Sequence, residues 1–125
     1  MPITWYEIGK NHLEAAKHSQ KEFFRTSASR SYYAAHVVLA EALVKEGCVF
    51  EGGRQTPPHH DQVRLIGKYL AHKGQKIVRE LQALFRRLYR RRLDADYSRT
   101  VAFDAKIALD SVRDVSSVFK LLDVR

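Results

Sequence analysis

The 125-residue chain is long enough to bury one core and too short for two ordinary ones, so a single domain over residues 1–125 is expected. With 45% hydrophobic and 29% charged residues it is no disordered tail, and no stretch approaches the roughly 18 uninterrupted apolar residues of a membrane span. Twenty-two Lys and Arg against fourteen Asp and Glu leave a net charge of +8, which points to polyanionic partners such as RNA or DNA and says nothing about catalysis.

Helical periodicity dominates, and no segment alternates as a half-buried strand does. A first helix opens at Thr4, where Thr4 and Glu7 form a capping box, and runs to about Ser19. A second runs from about Ser27 to Glu46 and stops at Gly47, a residue able to take the left-handed conformation that ends helices. Ala28, Tyr32, Ala35, Leu39, Ala42 and Leu43 share roughly 100° of its arc, and Val37, Val38 and Val44 extend the apolar surface to other sides. This helix is therefore expected at the centre. The segment 47–60, with one Gly-Gly and one Pro-Pro pair, reads as a long loop. A short third helix over about Asp61 to His72 is broken at Gly74, a fourth spans Gln75 to about Ala95, and a fifth spans about Phe103 to Leu122. Helices that each bury one stripe must bury it against one another, so the expected fold is an all-α, up-and-down bundle of four to five helices.

The fourth helix carries "RRLYRRRLDADY" at residues 86–97. Arg79, Arg86, Arg87 and Arg90 project to one side, away from the arc of Ile77, Val78, Leu81, Leu84, Phe85 and Leu88. A solvated face explains them; their contiguity, with Arg91, on so basic a chain also suits RNA phosphates. Arg92 differs, because a helix continued to it places its side chain in the middle of the apolar arc. A guanidinium there needs a partner, and Asp96, one turn on, is the nearest. Either Arg92 and Asp96 simply finish the helix, or they form with Tyr97 a polar pocket in which Arg92 binds phosphate.

The stretches "SRSYYAA" (29–35), a histidine-bearing loop before the third helix, and "RLDADY" (92–97) together resemble the HEPN domain family, in matching order from about residue 5 to 122. The resemblance implies a small helical bundle, usually a homodimer, of prokaryotic defence, toxin–antitoxin or stress systems, often encoded beside a minimal nucleotidyltransferase. It also implies a metal-independent ribonuclease in which Arg and His four to six residues apart converge across the dimer. This chain departs from that pattern: at the end of the fourth helix it reads Arg90-Arg91-Arg92-Leu93-Asp94-Ala95-Asp96-Tyr97, with no histidine.

Arg30 with His36, and Arg54 with His59 or His60, have the spacing, but roughly two such pairs are expected by chance in this composition. His36 reads as a core histidine. His59 and His60 are better placed for acid–base work, or for capping the third helix with Asp61. Cys48, His59, His60 and Asp61 do not reproduce metal-ligand spacings, so neither a metal nor another cofactor is expected; a lone cysteine and the lack of an apolar leader suggest the cytoplasm. The function expected is RNA or nucleotide binding by a dimer. Arg30, Arg92, Asp96 and Tyr97 would surround the pocket, Tyr33 would serve as an aromatic contact, and Arg86, Arg87, Arg90 and Arg91 would hold phosphates. Cleavage would use His59 or His60 with Arg92 as clamp. The competing reading is a non-catalytic helical adaptor that binds a nucleotidyltransferase; a helix-turn-helix fits poorly, because the fourth helix spends its stripe on the core.

Overall fold

The computed structural model describes residues 3–123. It contains five α-helices, α1 (Trp5–Ser19), α2 (Phe24–Lys45), α3 (Gln62–Tyr69), α4 (Gln75–Tyr97) and α5 (Ala105–Leu122), and no strand among the described residues. The capping box at the start of α1 forms as expected: Glu7 N donates to Thr4 Oγ1 at 3.1 Å, and Thr4 N donates to Glu7 Oε2 at 3.0 Å. Gly47, with φ of 86°, closes α2 in the left-handed region.

α2 is the central helix and packs against α1, α4 and α5. Tyr32, Ala35, Val38, Leu39 and Leu43 have no exposed surface, and they meet Leu81, Phe85 and Leu88 from α4 and Val115 and Val118 from α5 in one cluster. α1 packs tightly on α2 at Gly9, where a Cβ would stand 2.4 Å from Val38 Cγ2. Only glycine leaves room for that crossing.

Helix boundaries shift where side chains serve packing instead of capping. α2 begins at Phe24, three residues before Ser27, because the Ser27 hydroxyl donates across to the Ala16 carbonyl at 2.8 Å while Phe23 O accepts from Ser27 N at 2.9 Å. The third helix is shorter than its pattern suggested. It ends at Tyr69, followed by a separate 3-10 turn over Ala71–Lys73. α4 continues to Tyr97, so the helical register that carries Arg92 toward the core holds through Asp96. A further 3-10 turn, His59–Asp61, delivers the chain from the long loop into α3. No helix among the described residues is long and apolar enough to cross a membrane.

Candidate functional site

Arg92 lies with only 12% of its side chain exposed, at the end of the bundle where α4 faces α2. Its Nη2 donates to the Tyr33 hydroxyl at 2.6 Å, and its Cζ is 5.3 Å from the ring centroids of both Tyr33 and Tyr97 and 6.0 Å from that of Tyr32. Such a cage of aromatic faces stabilises a cation withdrawn from water. Nε lies 3.0 Å from Asp96 Oδ2, close enough for an ion pair, but its N–H is not aligned on the carboxylate, so that buried donor lacks a hydrogen bond. Asp96 Oδ2 instead also faces Ser29 Oγ, at 3.4 Å. In front of Arg92 opens a cleft of about 720 Å³ whose wall includes Arg25, Ser29, Arg30, Tyr33, Asp96 and Tyr97. Arg30 is exposed there, and its Nη1 points at His12 Nδ1 from 3.3 Å.

Behind the tyrosines runs a polar chain inside the core. His36 Nδ1 meets Gln62 Oε1 at 2.8 Å, Gln62 Nε2 donates to the Tyr32 hydroxyl at 2.9 Å, and the Tyr32 hydroxyl in turn meets His59 Nδ1. Donor counting fixes the protons. Gln62 Oε1 needs a proton on His36 Nδ1. The Tyr32 oxygen accepts from Gln62, and the arrangement that also uses its own proton has it donate to His59 Nδ1, with the His59 proton on Nε2. The rings themselves pack: His36 and His59 stack at 4.5 Å between centroids, and His59 lies parallel to Tyr89 at 6.0 Å.

These surroundings keep both imidazoles neutral. Burial pushes His36 down to about 4, with the charges of His59 and Arg92 acting in the same sense and the Gln62 hydrogen bond opposing them. Burial also lowers His59, aided by Arg92 and Arg54, and raises the Tyr32 phenol. At neutral pH the site therefore presents arginine charge without imidazolium charge.

The family model of the HEPN domain matches residues 4–124. The chain belongs to the HEPN domain family. Neither the curated proteins nor the solved structures contain a match to it.

In this HEPN domain the structure gathers Arg30, Tyr33, Arg92, Asp96 and Tyr97 around one cleft, and it brings His59 up behind them through Tyr32 and Tyr33. His60 goes elsewhere. It lines a separate hollow of about 350 Å³ with Cys48, Glu51, Arg54, Arg64 and Lys68, on the far side of the turn that carries His59 inward. Asp61, its neighbour, is committed to Arg64, whose Nε and Nη2 both donate to the carboxylate at 2.7 Å. Among the described residues no group of three or more His, Cys, Asp or Glu is arranged to hold a metal ion.

The outer arginines divide. Arg86 is exposed, and Arg90 reaches Asp94 only at 3.7 Å with most of its side chain in water. Arg87 and Arg91 instead converge on Asp114 of α5, Arg87 through Nε and Nη2 at 3.2 Å and Arg91 through Nη1 at 2.6 Å. Part of the basic face is thus already partnered within the bundle.

Six residues that the sequence reading did not single out for this site belong to it: His12, Arg25, Ser29, Tyr32, Gln62 and Tyr89. Gln62 had a signal. It falls on the stripe of Leu65, Ile66 and Leu70, and a polar residue on an apolar stripe is the same mark that set Arg92 apart. Arg25 had none, since its partners lie some seventy residues away.

Proposed function

We propose that this HEPN domain binds RNA or a nucleotide through the Arg92 cleft, with a phosphate received by Arg92 and Arg30 and by the exposed arginines beyond. The observation that carries this reading is Arg92 itself: a guanidinium held among three tyrosine rings at the wall of an open cleft that the exposed Arg30 also lines. A phosphate oxygen in that cleft can accept from the Arg92 and Arg30 guanidinium groups. Tyr33 and Tyr97 offer faces against which a base or ribose can pack.

Within that reading, the histidine favours grip over cleavage. A neutral His59 whose Nδ1 is occupied by Tyr32 and whose Nε2 carries the proton is a hydrogen-bond donor; to accept a proton from a ribose hydroxyl it must first break from Tyr32 or change tautomer. The dimer, the defence or toxin setting and the nucleotidyltransferase partner of other HEPN domains belong to the same proposal and rest on family membership alone.

The experiment is retention and cleavage of a labelled oligoribonucleotide without added metal, by the wild-type chain and by Arg92→Ala and His59→Ala variants whose folding is checked by circular dichroism. Wild-type retention that Arg92→Ala loses is the expected result. Cleavage lost in His59→Ala would add a ribonuclease to the binding module. Absence of retention by the wild type would overturn the reading and leave the helical adaptor in its place.

A further inference from the structure

Beside the Arg92 cleft lies a second hollow of about 460 Å³, walled by Phe23, Phe24, Arg25, Thr26, Val101 and Phe103. The two depressions share Arg25 and Thr26 and so adjoin at those residues. The first is polar and cationic; the second is aromatic. Phe23, at the start of α2, leaves 62% of its surface in water, an unusual place for a ring with no structural task.

Arg25 forms the partition. Its Nη1 donates to the carbonyls of Asp94, Ala95 and Ser98 at 3.0, 3.1 and 2.7 Å, and its Nη2 donates to that of Val101 at 2.8 Å. Its Cζ stands 4.8 Å from the Phe103 centroid. This clasp draws residues 98–103 back against the start of α2 and so puts Phe103 in the same hollow as Phe23. All four acceptors are neutral. The carbonyls of Asp94, Ala95 and Ser98 lie at the C-terminal end of α4, so the guanidinium caps the negative end of that helix at the wall the two hollows share.

We propose that the aromatic hollow is a nucleobase subsite, taking the base of a nucleotide whose phosphate lies in the Arg92 cleft; the inference rests on the binding reading given above. A planar apolar group fits beside aromatic rings, and the exposed Arg30 and the Arg92 guanidinium in the adjoining cleft favour a group joined to an anion. An apolar helix from a protein partner, or a second copy docked by its own apolar surface, would leave the cationic cleft beside it unanswered. A nucleotide answers both halves at once, whether it arrives free or within a strand.

The test compares ligands that differ only in their bases. Binding of AMP against ribose phosphate, and of a short oligoadenylate against its abasic counterpart, is measured by calorimetry for the wild type, Phe23→Ala and Phe103→Leu. Phe23 is exposed, so Phe23→Ala keeps the core, and thermal unfolding verifies both variants. The expected result is a preference of about tenfold or more for the base-bearing ligand, cut several-fold in both variants while ribose phosphate binding is unchanged. Preference for AMP alone would assign the subsite to a free nucleotide, and preference for the oligomer alone would assign it to a strand; either supports it. Equal binding of the two ligand types, or a preference that survives both substitutions, would overturn the subsite and leave the Arg92 cleft standing. A change from dimer to monomer in Phe23→Ala with base preference intact would also overturn it, as the mark of an interface between copies. Failure of all four ligands to bind the wild type would overturn the binding reading and the subsite with it.

Discussion

Acid should destabilise this protein through His36. The imidazole is only 4% exposed, stacked on His59 and Tyr32, and its Nδ1–H donates to Gln62. Folding holds it neutral, moving its titration from 6.5 to about 4. The unfolded chain takes up the proton near 6.5 and the folded chain does not, so stability is full above that pH and falls as pH drops toward 4. At ~1.4 kcal/mol per pH unit the gap between 6.5 and about 4 amounts to about 3 kcal/mol, of which about 2 kcal/mol is gone by pH 5. His12 and His59 are lowered as well and add loss of the same sign. Comparison with His36→Leu isolates the contribution of His36. That variant strands the buried Gln62 oxygen, so at pH 7 it should be less stable by about 1–3 kcal/mol. Its further loss between pH 7 and pH 5 should be smaller than the wild type's by about 2 kcal/mol. Urea unfolding at both pH values reads the difference directly. Parallel losses in the two proteins would refute the argument and show that His36 is solvated enough to titrate normally in the folded state.

Arg92→Lys keeps the charge but loses the fork that reaches Tyr33 and flanks Asp96. Oligoribonucleotide affinity should fall roughly tenfold or more with the fold intact, and a filter-binding titration beside a thermal melt separates the two effects. Arg86→Ala should lower the slope of log affinity against log salt by about one, whereas Arg87→Ala should lower it less, because Arg87 already pairs with Asp114; equal changes would mean that RNA displaces Asp114. Gly9→Ala forces a methyl against Val38 at the crossing of α1 and α2 and should cost about 1–3 kcal/mol in urea unfolding, without changing RNA affinity in the folded protein.

The parts of this molecule that were legible in its sequence are those governed by a single helical period. Projection of α4 put Arg92 in the apolar arc and Asp96 one turn beyond it, and both stand there because the helix keeps its register to Tyr97. The same projection made α2 central, since apolar residues on several sides admit only a helix touched on several sides. It failed where a polar side chain that resembles a cap is used for packing. Ser27 suggests a helix start, but its hydroxyl belongs to α1 through Ala16, and α2 begins a turn earlier. Nor does a period describe contacts between distant segments. Arg25 is one basic residue among many until the fold returns residues 94–101 to it, after which its four carbonyl bonds join two hollows. The adjacent histidines make the physical limit plain. His59 and His60 have the same chemistry and nearly the same sequence surroundings, yet one 3-10 turn after Pro58 sends the first onto His36 and Tyr89 and leaves the second beside Arg64. The partners that decide between them are on α2 and α4, and a buried amide, Gln62, completes the choice by holding Tyr32 in the position where His59 must accept its proton. Site chemistry in this HEPN domain is thus fixed by polar residues on apolar stripes, Arg92 on α4 and Gln62 on α3, each of which must find a polar partner across the bundle and so determines which loop histidine enters.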